Sequence, residues 1–215
     1  MPKGYAILIT SPPLDEKDLL IDSFLKQGIY SEDAVLFFST RLRGIASELV
    51  EGYPESFFLI LCNPWADNII SDRPNVIKFN GVEDLTQLNI SLEVFFRNIA
   101  EKGVNIKRVV LDIVSDALLT HEIRVVRRWL MDLLTMFKHR NLTIISTLDP
   151  AMHSRDESRT IIDLFDGHMD ISESEVNDEL KKMLAIKRLY NKKYLEKDLI
   201  LTRDKFVQLA STHYS

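Results

Sequence analysis

The chain has 215 residues, 46% of them hydrophobic and 27% charged, with a net charge of -5. That is enough for one domain, residues 1–215, with a real core, and the acidic balance excludes a protein that coats nucleic acid without specificity. A single cysteine, Cys62, excludes an internal disulfide, no apolar run is long enough to span a bilayer and no signal pattern opens the chain, so the sequence reads as cytoplasmic.

The first predicted strand is Tyr5–Thr10, stopped by Ser11-Pro-Pro13. The spacing of Leu20, Phe24 and Leu25 predicts a helix over Lys17–Gln27, closed by Gly28 as a left-handed residue. Ala34–Phe38 reads as a buried strand, Arg41–Glu51 as a short helix ending near Gly52, and Phe57–Cys62 as a third strand. Turn chemistry makes loops of Asn63–Asp67 and Ser71–Pro74, before a weak strand at Val76–Phe79. Leu85, Leu88, Leu92, Phe95, Phe96 and Ile99 recur at helical spacing, which predicts an amphipathic helix over 85–101 that Gly103 ends.

Arg108-Val-Val-Leu-Asp112 follows. Val109, Val110 and Leu111 leave no wet face, so both sides of this strand are covered, and Asp112 stands at the carboxyl end, where open α/β sheets place ligands. A second long helix is predicted at 121–138, then strand Leu142–Leu148 stopped by Asp149-Pro150. A helix at Arg155–Leu164 and a short strand at Asp166–Ile171 complete the pattern. Lys182–Leu189 and Asp198–Thr202 read as an antiparallel hairpin turning through Tyr190–Tyr194, with helix as an alternative for 175–189. Strands alternating with helices imply an α/β three-layer sandwich: a mainly parallel sheet, helices on both faces, and a C-terminal antiparallel hairpin.

With these elements in this order the chain resembles a KaiC-like domain of the RecA superfamily of P-loop ATPases. The residues that carry the likeness are Tyr5–Thr10 leading to Lys17, then Phe24–Gly28, Arg108–Asp112 as a Walker B strand, Trp129–Leu134 before Leu142–Thr147, and Phe165–Ile171. The resemblance implies a RecA-like sheet, ATP and magnesium as cofactors, and nucleotide binding by Lys17, Asp18, Asp112 and Ser146. It also implies a contact with a phosphate or a neighbouring subunit at Lys187 and Arg188.

The family's phosphate loop reads Gly, four residues, Gly, Lys, Ser or Thr, so that backbone N–H groups close on phosphate and the hydroxyl holds magnesium. Here the stretch is Ser11-Pro-Pro-Leu-Asp-Glu-Lys-Asp18, in which only Lys17 is retained. Asp15, Glu16 and Asp18 are expected to crowd the phosphate position with negative charge. The place after the second strand that the resemblance gives to a catalytic glutamate reads Phe38-Ser-Thr-Arg-Leu42, with no acid. Arg188 falls one residue off the family's Lys-x-Arg spacing, which turns it to the other face of a strand.

Other features have plainer readings. Arg124, Arg127, Arg128 and Lys138 share a helix face about 130° from the apolar stripe, as a solvated back would. Lys181, Lys182, Lys187, Arg188, Lys192 and Lys193 form the densest basic run, suited either to a subunit contact or to an edge strand guarded by lysines. The five histidines show no ligand spacing with Cys62. Trp65 stands out as an exposed aromatic in a loop. Together these features lead to a non-catalytic domain acting as an interaction or regulatory subunit, with ATP binding weak or lost. Its partner would be an active KaiC-like relative or a further copy of itself. The alternatives are an ATPase that uses Lys17, Asp18 and Asp112, and a DNA-binding recombination or signalling adaptor.

Overall fold

The computed structural model describes residues 3–176 and 179–202. Within them the apolar runs become β1 (Ala6–Thr10), β2 (Ala34–Ser39), β3 (Phe57–Cys62), β4 (Val76–Phe79), β5 (Ile106–Asp112) and β6 (Thr143–Leu148), followed by β7 (Gly167–Val176), β8 (Glu179–Leu189) and β9 (Leu199–Leu201). They form one sheet in the order β4-β3-β2-β5-β6-β1-β7-β8-β9. Neighbours run parallel from β4 through β7, and β8 and β9 join antiparallel.

Strand side chains alternate between two cores. Leu8, Leu36, Phe38, Val109, Leu111 and Ile144 face the helices α4 (Leu85–Glu101), α5 (Val114–Thr120), α6 (Ile123–His139) and α7 (Arg155–Ile162). Ile9, Val35, Phe37, Val110 and Ile145 face α1 (Asp15–Tyr30), α2 (Gly44–Gly52) and α3 (Ala66–Ile69). The three-layer architecture and the terminal antiparallel hairpin expected from the sequence are present. Val109, Val110 and Leu111 are fully buried because helices cover both sides of β5.

Several boundaries differ for identifiable reasons. Helix α1 runs on to Tyr30, with Gly28 inside it. A Cβ on Gly28 would lie 2.5 Å from Val35 Cγ2 and 3.0 Å from Arg108 Cδ, so this glycine serves close packing against β2 and β5 and does not end the helix. Helix α2 starts at Gly44, which leaves Arg41 and Arg43 in the turn after β2. Helix α5 fills 114–120, and α3 replaces part of a predicted loop. In 175–189 the strand pattern prevails over the helix alternative, because β7 and β8 pair from Gly167–Leu189 to Val176–Glu179, interrupted by one bulge. Helix α4 has the predicted bounds. Asp84 accepts from Gln87 N–H at its start, and Gly103, at φ 75°, lies just past its end. No helix among the described residues is long and apolar enough to cross a membrane.

Candidate functional site

The carboxyl ends of β1, β2, β5 and β6 meet at one edge of the sheet, and polar side chains gather there. Lys17 enters from the first turn of α1, Asp112 ends β5, Thr147 lies on β6 and Ser39 ends β2. Thr147 Oγ1 donates to Asp112 Oδ1, and Ser39 Oγ stands 3.5 Å from Asp112 Oδ2. Burial holds the Lys17 ammonium below its usual pKa. The Asp112 carboxylate works against this, and the Arg43 and Arg41 guanidiniums reinforce it.

The centre of the cluster is taken by a residue that no local pattern marks. Arg43, at the N-terminal boundary of α2, places Nη2 3.2 Å from Asp112 Oδ2 and pairs through Nη1 with Asp18 Oδ1. The Asp112 side chain is 9% exposed and that of Arg43 21%, so solvent screens the pair only in part. Lys17 Nζ lies 4.0 Å from the same Asp18 oxygen. One guanidinium thus bridges two of the carboxylates expected at the nucleotide.

Two of the three carboxylates expected to crowd the phosphate position have cationic partners. Glu16 is 6% exposed and pairs with Lys182 of β8 at 2.8 Å, while Asp18 is tied to Arg43. The backbone of the loop is also committed. Pro12 and Pro13 have no N–H to offer, Leu14 N–H donates to Pro12 O at 2.7 Å, and Lys17 N–H to Leu14 O at 3.2 Å. Ser11 N–H donates to Leu148 O at 3.0 Å, fastening the loop to β6. A phosphate cradle needs such groups turned inward and unengaged.

Other predicted positions go elsewhere. Ser146 is fully buried and donates to Leu111 O at 3.1 Å, so it joins β6 to β5 inside the core. Its neighbour Thr147 reaches Asp112 instead, because successive residues of a strand face opposite sides. Arg188 bonds the carbonyls of Ile162 and Phe165, at 2.8 and 3.0 Å, and lies 3.3 Å from Asp163, so it closes the C-terminal end of α7 and does not join the Lys17 cluster. Lys187 is exposed at a bulge in β8, where the β7 register slips between His168 and Met169.

Within the basic run, Lys181 pairs with Glu179 and Lys182 with Glu16. On α6, Lys138 pairs with Asp166, while Arg124, Arg127 and Arg128 are exposed. Trp65 is 67% exposed, as its loop position implied.

A mostly parallel sheet between helix layers, with the first helix opening beside an aspartate that ends a central strand, defines a RecA-like α/β domain. The family "ATPase: KaiC" matches residues 66–202, well over half of the sequence, and the chain belongs to that family. The match includes Asp112 and begins after helix α1, which carries Lys17. Among solved structures, the chain is similar to a KaiC-like protein of the hyperthermophilic archaeon Pyrococcus horikoshii OT3, with 20% identity and a TM-score of 0.67 over 94% of this chain and 87% of that one. At that identity the likeness concerns the fold. No curated protein sequence matches the chain.

Proposed function

We propose that this chain is a non-catalytic member of the KaiC family, an interaction or regulatory subunit whose affinity for ATP is weak or lost. The observation that carries the reading is Arg43, whose guanidinium lies between Asp18 and Asp112. It is already paired with both carboxylates, so a magnesium ion would have to displace it. Two like unit charges about 4 Å apart repel by about 4 kcal/mol at an effective dielectric of 20, so a divalent cation cannot simply be added beside it.

Two sequence features support the same reading. No glycine lies between Gly4 and Gly28, and no acid follows β2 before Glu48. Without an acidic group to orient or deprotonate water, hydrolysis loses a contribution of about 10²–10⁴ in rate. The partner in this reading is an active KaiC-like relative or a second copy of the chain.

One observation favours the rival reading, an ATPase with an atypical loop: Lys17, Asp18 and Asp112 do converge on one spot. Calorimetric titration of the full chain with magnesium and ATP separates the two. The expected result is no micromolar binding by the wild type and no change in Lys17→Ala. Micromolar binding that Lys17→Ala abolishes overturns the proposal.

A further inference from the structure

The carboxyl edge of the sheet has a second crevice. From β2 the chain steps outward to β3 and β4, whereas from β5 it steps the other way to β6. β2 and β5 are therefore neighbours whose connections diverge, the place where open α/β sheets take ligands. A cleft of about 360 Å³ opens beside that point, over the carboxyl ends of β2, β3 and β4 and against α5, within the size range of small-molecule sites. Thr40 and Arg41 follow β2, Asn63 follows β3, Glu83 follows β4, and Asp116 and Leu119 come from α5. Lys17, Asp18, Arg43 and Asp112 do not line it, although Arg41, which does, also bears electrostatically on Lys17.

The walls are held in place. Thr40 Oγ1 donates to Asp116 Oδ2 at 3.0 Å, Asn63 Nδ2 donates to Thr40 O at 2.9 Å, and Trp65 N–H donates to Asn63 Oδ1 at 2.9 Å. Cys62 also lines the cleft, its thiol pushed up to about 12 by burial, with Glu83 and then Asp116 adding to the effect. The Glu83 and Asp116 carboxylates both line this cleft.

Two charged groups have no such engagement. Among the described residues, neither the Arg41 guanidinium nor the Glu83 carboxylate has a hydrogen bond or an ion pair, although both line the same cleft. They leave one anchor of each sign, with Asp116 as a second acid and the exposed Leu119 as an apolar wall. A guanidinium takes a carboxylate through two parallel bonds, while an ammonium seeks several oxygen acceptors.

We propose that this cleft binds a small zwitterion of the α-amino-acid type, its carboxylate on Arg41 and its ammonium between Glu83 and Asp116. The idea does not depend on whether the Lys17 cluster takes a nucleotide.

The test uses the full chain and the common free α-amino acids, each supplied at up to about 10 mM, with thermal unfolding and calorimetry as readouts. The expected result is that at least one of them binds and raises the unfolding midpoint. Its N-acetyl and amide derivatives, each lacking one charge, do not bind. Arg41→Gln and Glu83→Gln each weaken binding by roughly tenfold or more, yet unfold at the wild-type midpoint without ligand, since neither side chain has a hydrogen bond or an ion pair among the described residues. The proposal is overturned if no amino acid binds, if the blocked derivatives bind as well as the free ones, or if either variant binds as tightly as the wild type.

Discussion

The guanidinium of Arg43 sits 3.2 Å from the carboxylate of Asp112, with Asp18 on its other side. In Arg43→Ala, these carboxylates and the Thr147 hydroxyl would face an emptied space. Removing one partner of a mostly buried ion pair costs several kcal/mol, and the partial exposure of this one reduces the expected loss to about 2 kcal/mol. Oxygen donors of this kind suit a hard divalent cation, so millimolar magnesium should raise the unfolding midpoint of Arg43→Ala and leave the wild type unchanged. An equal response in both proteins would show that the guanidinium does not stand in for a cation.

Gly28→Ala tests the packing of α1. In an open helix this change is favourable by up to about 1 kcal/mol. Here the new methyl would meet Val35 Cγ2, itself fully buried, at 2.5 Å. Overpacking of this kind costs about 1–3 kcal/mol, so the expected net change is a loss of about 1–2 kcal/mol in urea denaturation. A gain in stability would mean that β2 yields easily.

Asp22, on α1, has its pKa raised to about 6, first by burial and then by Glu48, with Lys26 opposing. The folded pKa lies above the unfolded value, so the stabilising contribution is complete below about pH 4 and disappears as the pH rises through 6. Asp22→Asn should therefore unfold at a higher midpoint than the wild type at pH 7.5 and lose that advantage at pH 4. Each pKa unit is about 1.4 kcal/mol, and solvent screening at this partly exposed site leaves a gain of about 1 kcal/mol. An advantage that does not vary with pH would exclude Asp22 as its source.

Glu16 and Lys182 join α1 to β8 at 2.8 Å. Lys182→Met would leave a carboxylate that is 6% exposed without its cation, and unfolding should shift several degrees lower. Adding Glu16→Gln should recover most of the loss, as expected when one pair couples the two sites. Additive losses in the double variant would mean that the two residues act independently.

The strands were readable because their apolar runs are short and bounded by proline, glycine or an acid, as at Thr10-Ser11-Pro12 and Leu111-Asp112. The helix α4 was readable to its ends because Asp84 and Gly103 mark them chemically. Gly28 misled because its role depends on Val35 and Arg108, which lie across the layer and leave no local trace. Helix α5 was hidden because it directly follows the strand that ends at Asp112. Within the site, Lys17, Asp18 and Asp112 could be found from their place in the chain. Arg43 could not, since it sits in a turn and meets Asp112 only through the pairing of β2 with β5. That Thr147 and not Ser146 meets Asp112 depends on the β6 register, which a strand buried on both faces does not reveal.

The position of β1 has a consequence for how the molecule is made. Its neighbours are β6 and β7: Ala6 pairs with Ile144 and Ile7 with Gly167, and the Ala6 N–H donates to Asp166, 160 positions along the chain. This strand, made before either of its partners, therefore has no bonding neighbour in the sheet until Ile144 and Gly167 have also left the ribosome. Contacts this distant close slowly and leave apolar surface uncovered in the meantime. For this protein the hazardous interval of biosynthesis is the wait of Ala6–Thr10 for a slot that only the late-emerging strands can complete.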